Sequence, residues 1–115
     1  VMGIAKAGLD TTVRYLDADY GARGIRVNAI SAGPMRTLEG GGIADARAMF
    51  NFQKTHSPLQ KTVTLSDIGG SAIYLLSDLS AGVTGEVHYV DSGYNIISTP
   101  RPEMLQDKTI YNNQD

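Results

Sequence analysis

Cysteine is absent from the 115 residues, which excludes a disulfide framework, cysteine-based zinc sites and thiolate chemistry and fits a reducing compartment. An excess of one charge is lacking too. Ten Lys+Arg stand against twelve Asp+Glu, for a formal charge of −2, and neither sign gathers into blocks. Without a basic stripe for a phosphate backbone or a polybasic anchor for a lipid surface, neither nucleic acid nor membrane is an expected partner. No apolar run approaches the roughly 20 residues of a bilayer-spanning helix, and the first residues have neither the cationic start nor the apolar run of a secretion signal. What is present is 42 % apolar residues, enough for the core of one small domain. The expectation is a soluble, cytoplasmic chain.

Met2, Ala5, Leu9, Val13, Leu16 and Tyr20 follow one another at steps of three or four, a single stripe down a helix from residue 1 to about 20. The stripe is already running at Met2 and no capping residue precedes it, so the helix is expected to begin upstream of Val1. Gly21 and Gly24 are expected to stop it. Ile25 to Ile30 alternates as a short strand does, leading into the loop Ser31-Ala32-Gly33-Pro34. Glu39-Gly40-Gly41-Gly42 is expected to act as a hinge because three successive residues lack side-chain restraint. A helix with a ragged stripe follows, from Ile43 to about Thr55. Thr64-Leu65-Ser66-Asp67 has capping-box spacing, and Leu65, Ile68, Ala72, Leu75, Leu76 and Leu79 continue it as a helix over about 65–78. A second strand is expected at Glu86 to Asp91, ended by Ser92-Gly93, and residues 98–115 read as a polar tail.

Two strands separated by some 55 residues that hold two helices cannot form a hairpin, whereas a crossover between parallel neighbours accommodates them. The class is α/β. Parallel sheets are normally covered on both faces, so further strands and helices are expected from elsewhere. In an open parallel sheet, ligands bind beyond the carboxyl ends of the strands, which makes the loop from Ser31 to Thr37 the first place to look for a site. Gly33-Pro34 fixes a sharp path there, and the Met35 main chain and Thr37 hydroxyl can hydrogen-bond an amide and a phosphate. An ordinary connecting loop fits the same residues.

Lys6 lies at the margin of the first helix stripe, which suits either a catalytic ammonium or a snorkelling side chain with Asp10 one turn on. His56 and His88 have no carboxylate or second histidine at ligand spacing, so no metal is expected. Glu39 and Asp45, separated by the glycine run, form no recognisable acid/base pair.

Lys6 in a helix, then Gly24-Ile-Arg-Val-Asn-Ala-Ile-Ser-Ala-Gly-Pro-Met-Arg-Thr-Leu38, then Thr84-Gly-Glu-Val-His-Tyr-Val-Asp-Ser-Gly93, resembles the C-terminal half of a short-chain dehydrogenase/reductase. More narrowly, it resembles the bacterial enoyl-acyl-carrier-protein reductases of the FabI type, over nearly the whole chain up to about Ile97. Most short-chain dehydrogenases place a tyrosine four residues before the lysine, and Met2 stands there. The enoyl reductases place it seven before, two residues upstream of Val1. Tyr15 and Tyr20 lie downstream of Lys6 and cannot replace it.

The resemblance implies the C-terminal part of a Rossmann-like doubly wound parallel sheet over residues 1–97, with a substrate lid at about 38–55. It implies reduction of an enoyl thioester with NADH, NADPH remaining open, in fatty acid biosynthesis. Carried over by position, Lys6 would hold the ribose hydroxyls and Met35 would meet the nicotinamide carboxamide through its main chain. Gly33 and Pro34 would shape that pocket, and Thr37 would touch the pyrophosphate. Ile43, Ala46 and Met49 would face the acyl chain. Arg47 would receive the acidic acyl carrier protein, with Lys54 in support because Ala44 and Ala48 stand where relatives can carry lysines. A homotetramer is implied, with the Lys6 helix in a bundle between subunits. No Gly-x-Gly-x-x-Gly turn follows a strand here, so the adenosine half of the cofactor site is expected outside this chain, which alone would be inactive. Another short-chain reductase, such as an oxoacyl reductase, and a non-catalytic oligomerising module are the alternatives.

Overall fold

The structure, a computed structural model, describes residues 1–35 and 44–97. Its elements are α1 (Met2–Tyr20), β1 (Ala29–Ala32), α2 (Ala44–His56), α3 (Leu65–Leu76) and β2 (Val87–Val90), with short 3-10 turns at Gly21–Arg23, Asp78–Ser80 and Tyr94–Ile96. The two strands pair. The Ala29 N–H donates to the Glu86 carbonyl at 2.8 Å and the Gly33 N–H to the Val90 carbonyl at 2.9 Å. Partners that advance in step along both strands define a parallel pair, as the long connection requires. The expected Gly40 hinge, Thr37, Ile43 and the tail from Ser98 lie outside the described residues.

The chain divides into two compact units: Val1–Ser31 with Ile68–His88, and Ala32–Asp67 with the segment from Tyr89 onward. In the first unit, α1 forms where the periodicity places it, but its stop differs from expectation. Gly21 keeps right-handed helical angles and opens the 3-10 turn, and the chain leaves only at Gly24, whose φ of +76° favours glycine. The strand begins at Ala29 instead of Ile25 because the intervening residues spend their hydrogen bonds elsewhere. The Val27 N–H donates to Thr84 Oγ1 and its carbonyl accepts from the Gly85 N–H, while the Asn28 amide donates to the Val83 carbonyl and accepts from the Glu86 N–H. Asn28 thus supplies through its side chain what a ladder would take from the backbone. Arg26 reaches the same turn: its guanidinium donates to Ser80 Oγ and to the carbonyls of Val83 and Ser77, at 3.0 to 3.2 Å. A cation just past the end of α3 also meets the negative end of that helix. Gly85 (φ +70°) stands where any Cβ would come within 2.8 Å of Asp17 Oδ2, and Thr84 Oγ1 donates to Asp17 Oδ1.

Only part of each predicted stripe is covered. In α1 only Val13 is buried, at 6 % exposure, while Met2 is 76 % exposed; in α3 Leu75 is buried and Leu76 is 86 % exposed. Periodicity identifies the face that seeks cover and not the surface that supplies it. In the second unit Val63 is the buried apolar side chain, and His56, Ser57 and Ser92 are buried with it. The capping box forms as read, within the second unit: the Asp67 N–H donates to Thr64 Oγ1 at 3.2 Å and the Thr64 N–H to Asp67 Oδ2 at 2.9 Å. The Thr64 N–H first and the Thr64 hydroxyl second hold the Asp67 carboxyl below its ordinary value of 3.8. α3 ends at Leu76, two residues short of expectation, and a 3-10 turn takes Asp78–Ser80.

Candidate functional site

The loop that leaves the carboxyl end of β1 belongs to the second unit. Gly33, Pro34 and Met35 are all half-buried. The Gly33 N–H is taken by Val90 and Pro34 has none to give, so the first main-chain donor past the ladder is Met35. Among the described residues no hydrogen bond engages the Met35 main chain. A loop whose first two donors are removed and whose third is unengaged suits a planar ligand amide, which offers one donor and one acceptor.

Behind the loop, Gly33 makes a close approach that leaves little room for a side chain. A Cβ there would lie 3.0 Å from the Asp91 Cα, 3.3 Å from its Cβ and 3.4 Å from Val63 Cγ2. Gly33 therefore serves close backbone approach as well as the sharp path read from Gly33-Pro34. Asp91 was read only as the end of a strand, yet its carboxylate organises the turn after β2. Oδ1 accepts from the Gly93 N–H at 3.0 Å and from Asn95 Nδ2 at 3.2 Å, and Oδ2 accepts from the Asn95 N–H at 2.9 Å. The signal that would have found it is the Asp-Ser-Gly-x-Asn run, an aspartate followed by residues that tolerate left-handed backbone. Ser92 (φ +58°) and Gly93 (φ +85°) both adopt it.

α2 carries the expected substrate and carrier residues. Met49 is 59 % exposed, and Arg47 and Lys54 are exposed and two turns apart, hence on one face. Ala46 lies in the first turn of the helix. The opposite character appears at His56, 3 % exposed. Its ring stacks on Phe52 at 3.7 Å, and its Nδ1 lies 2.8 Å from the Phe52 carbonyl, an acceptor only, so Nδ1 carries the proton. Nε2 has no hydrogen-bond partner among the described residues. His88 lies in the first unit, 3.1 Å from Glu86 Oε1. Among the described residues no group of three or more His, Asp or Glu is placed to hold a metal, and no helix is long and apolar enough to cross a membrane.

Lys6 belongs to the first unit and is exposed on α1. It forms no ion pair with Asp10 or with any other carboxylate among the described residues. The site residues expected from the sequence are thus divided between the units: Lys6 in one, Gly33, Pro34, Met35, Ala46 and Met49 in the other.

Comparison with known proteins agrees with the motifs. A family profile described as enoyl-(acyl carrier protein) reductase matches residues 1–95. Enoyl-acyl-carrier-protein reductase (NADH) 2 of Rhizobium meliloti is 70 % identical over 106 residues, which are 92 % of this chain and 40 % of that protein. The crystal structure of FabI from Candidatus Liberibacter asiaticus superimposes with a TM-score of 0.82 at 56 % identity, over 87 % of this chain and 39 % of that one. The enoyl-acyl-carrier-protein reductase of Anaplasma phagocytophilum, solved in complex with NAD, gives 0.82 at 50 % identity over 87 % and 38 %. The chain thus spans about two fifths of the length of these relatives, and over that span it belongs to the enoyl-acyl-carrier-protein reductase family of the short-chain dehydrogenase/reductase fold.

Proposed function

We propose that this chain is the nicotinamide- and substrate-facing part of an NADH-dependent enoyl-acyl-carrier-protein reductase, a cytoplasmic homotetramer of fatty acid biosynthesis. The observation that carries the reading is the loop Gly33-Pro34-Met35 at the carboxyl end of a parallel strand, its Met35 main chain unengaged among the described residues, within a chain 70 % identical to a relative named as NADH-dependent. The donor set fits the cofactor. Met35 would take the carboxamide, Gly33 and Pro34 would shape the pocket, and Lys6, exposed and without a carboxylate partner among the described residues, would donate to the ribose hydroxyls. Thr37 would meet the pyrophosphate, an assignment that rests on the resemblance.

Bound NADH supplies the hydride that reduces the β-carbon of the enoyl thioester. The work of this chain is to orient and to stabilise. The Lys6 ammonium favours negative charge developing on the thioester oxygen, a term that grows as water is excluded. Ile43, Ala46 and Met49 would line the acyl path, Met49 with an adaptable side chain already exposed. Arg47 and Lys54 would meet the acidic carrier protein, whose phosphorylated arm guanidinium groups recognise well. The exposed apolar face of α1 supports the tetramer, since a face of that size seeks cover.

The test is the complete reductase polypeptide mixed with crotonyl thioester and each nicotinamide, followed by loss of reduced-nicotinamide absorbance. Consumption of NADH in step with loss of the double bond is the expected result. No oxidation of either nicotinamide would remove the assignment.

A further inference from the structure

We propose that Asp91 is a positioning residue for the nicotinamide end of the site, acting through Gly33 and touching neither cofactor nor substrate. The inference rests on the reading above and adds a residue to it. Its basis is a chain of contacts within the second unit. The Gly33 N–H to Val90 bond closes the ladder, and one residue later the Asp91 Cα lies 3.0 Å from the place a Gly33 Cβ would occupy. The backbone of the ligand loop therefore rests directly on the backbone of Asp91.

Asp91 is in turn fixed from two directions. Its carboxylate accepts the three hydrogen bonds from Gly93 and Asn95, and its own carbonyl accepts from the Tyr94 N–H at 3.1 Å. Those bonds hold Ser92 and Gly93 in successive left-handed conformations. The turn is then tied to the segment after α2. The Ser92 carbonyl accepts from the Leu59 N–H at 3.2 Å, and a Cβ on Gly93 would fall 2.9 Å from Pro58 Cγ. That same segment presents Val63 to Gly33, so Gly33 is backed by two surfaces braced against each other. Both carboxylate oxygens are occupied by N–H donors, and an asparagine could satisfy only one side while turning an NH₂ toward donors on the other. The loop would then shift with the turn.

The experiment is Asp91→Asn and, separately, Gly33→Ala in the complete reductase polypeptide, with NADH affinity measured by fluorescence and exchange of the Gly33 amide followed without cofactor. Each variant is expected to weaken NADH binding about tenfold or more, by displacement of a positioned loop, and to speed Gly33 exchange. KM for the enoyl thioester should stay within about twofold, because the acyl path is built elsewhere. Asn95→Ala, which keeps its backbone donor, is expected to weaken NADH binding by about twofold at most. Unchanged NADH affinity in a folded Asp91→Asn protein overturns the proposal, as does an equal rise in both Michaelis constants, the mark of a general structural role. If Asp91→Asn does not fold, Gly33→Ala probes the same contact from the other side, and normal NADH affinity there overturns it. A parent protein that oxidises NADH while both variants bind it normally leaves the proposed function standing; a parent that binds no NADH removes both.

Discussion

The two units solve opposite problems with similar amounts of chain. The first leaves most of its large apolar side chains open, including Met2, Ile4, Leu9 and Tyr15 on α1 and Ile73 and Leu76 on α3, while its polar groups close on one another around Arg26 and Asn28. The second exposes fewer among its described residues and buries polar groups instead, with His56, Ser57 and Ser92 inside and two left-handed residues after β2. The difference separates two roles. Open apolar faces gain stability only by meeting another surface, which is the part the first unit plays in the proposed tetramer. Strained backbone beside a close glycine contact suits precise placement of a loop, which is the part the second unit plays in the proposed cofactor site.

The largest expected effect bears on the exposed cation of the first unit. Lys6→Met in the complete polypeptide should lower kcat/KM for the enoyl thioester by about a hundredfold or more, through loss of charge stabilisation, with the α1 fold unchanged by circular dichroism. A fall below about threefold would make Lys6 a snorkelling side chain instead of a catalytic ammonium. Next comes the assembly face. Leu9→Glu with Leu16→Glu should dissociate the proposed tetramer in sedimentation, because each charge would be desolvated in a subunit contact; an assembly of unchanged size would assign that face to another surface. Arg26→Ala should cost about 2 kcal/mol in denaturant unfolding, since it removes the guanidinium bonds to Ser80 Oγ and to the carbonyls of Ser77 and Val83. Smallest is Thr64→Ala, at about 1 kcal/mol for a lost N-cap.

The same cap gives a pH dependence with a definite sign. Asp67 is held below its ordinary value of 3.8, first by the Thr64 N–H and then by the Thr64 hydroxyl. The folded form therefore binds that proton more weakly than the unfolded one. Its contribution is complete above the ordinary value and fades as pH falls through the lowered one. Asp67→Asn should flatten that part of the stability profile and Thr64→Ala, which keeps the N–H and loses only the hydroxyl, should shrink it, measured by thermal unfolding between neutral and strongly acid pH.

Much of this architecture is legible in residue order because its causes are local. The α1 stripe, the Thr64 to Asp67 box and the Ser92-Gly93 turn each draw on neighbours within a few positions, and each forms where it was read. The strand at Ile25 was misplaced because alternation of Ile25, Val27 and Ala29 against Arg26 and Asn28 implies solvent on the polar side. In the fold both polar side chains instead bind a turn more than fifty residues away. The same holds for Gly33. Its smallness was credited to a sharp loop path, whereas close approach to Asp91 across 58 positions of sequence leaves little room for a side chain. Periodicity could mark the apolar faces of α1 and α3 but not their cover, which is why Val13 and Leu75 alone in those helices are buried.

The central claim concerns where a hydride goes, and isotope transfer reads that directly. The complete polypeptide should be given NADH deuterated at the transferable ring position together with crotonyl thioester, and the product examined by NMR. Deuterium on the β-carbon of a saturated thioester is the expected result. An intact double bond with the label unspent, or deuterium on a carbinol carbon when an oxoacyl thioester is offered instead, would contradict the account.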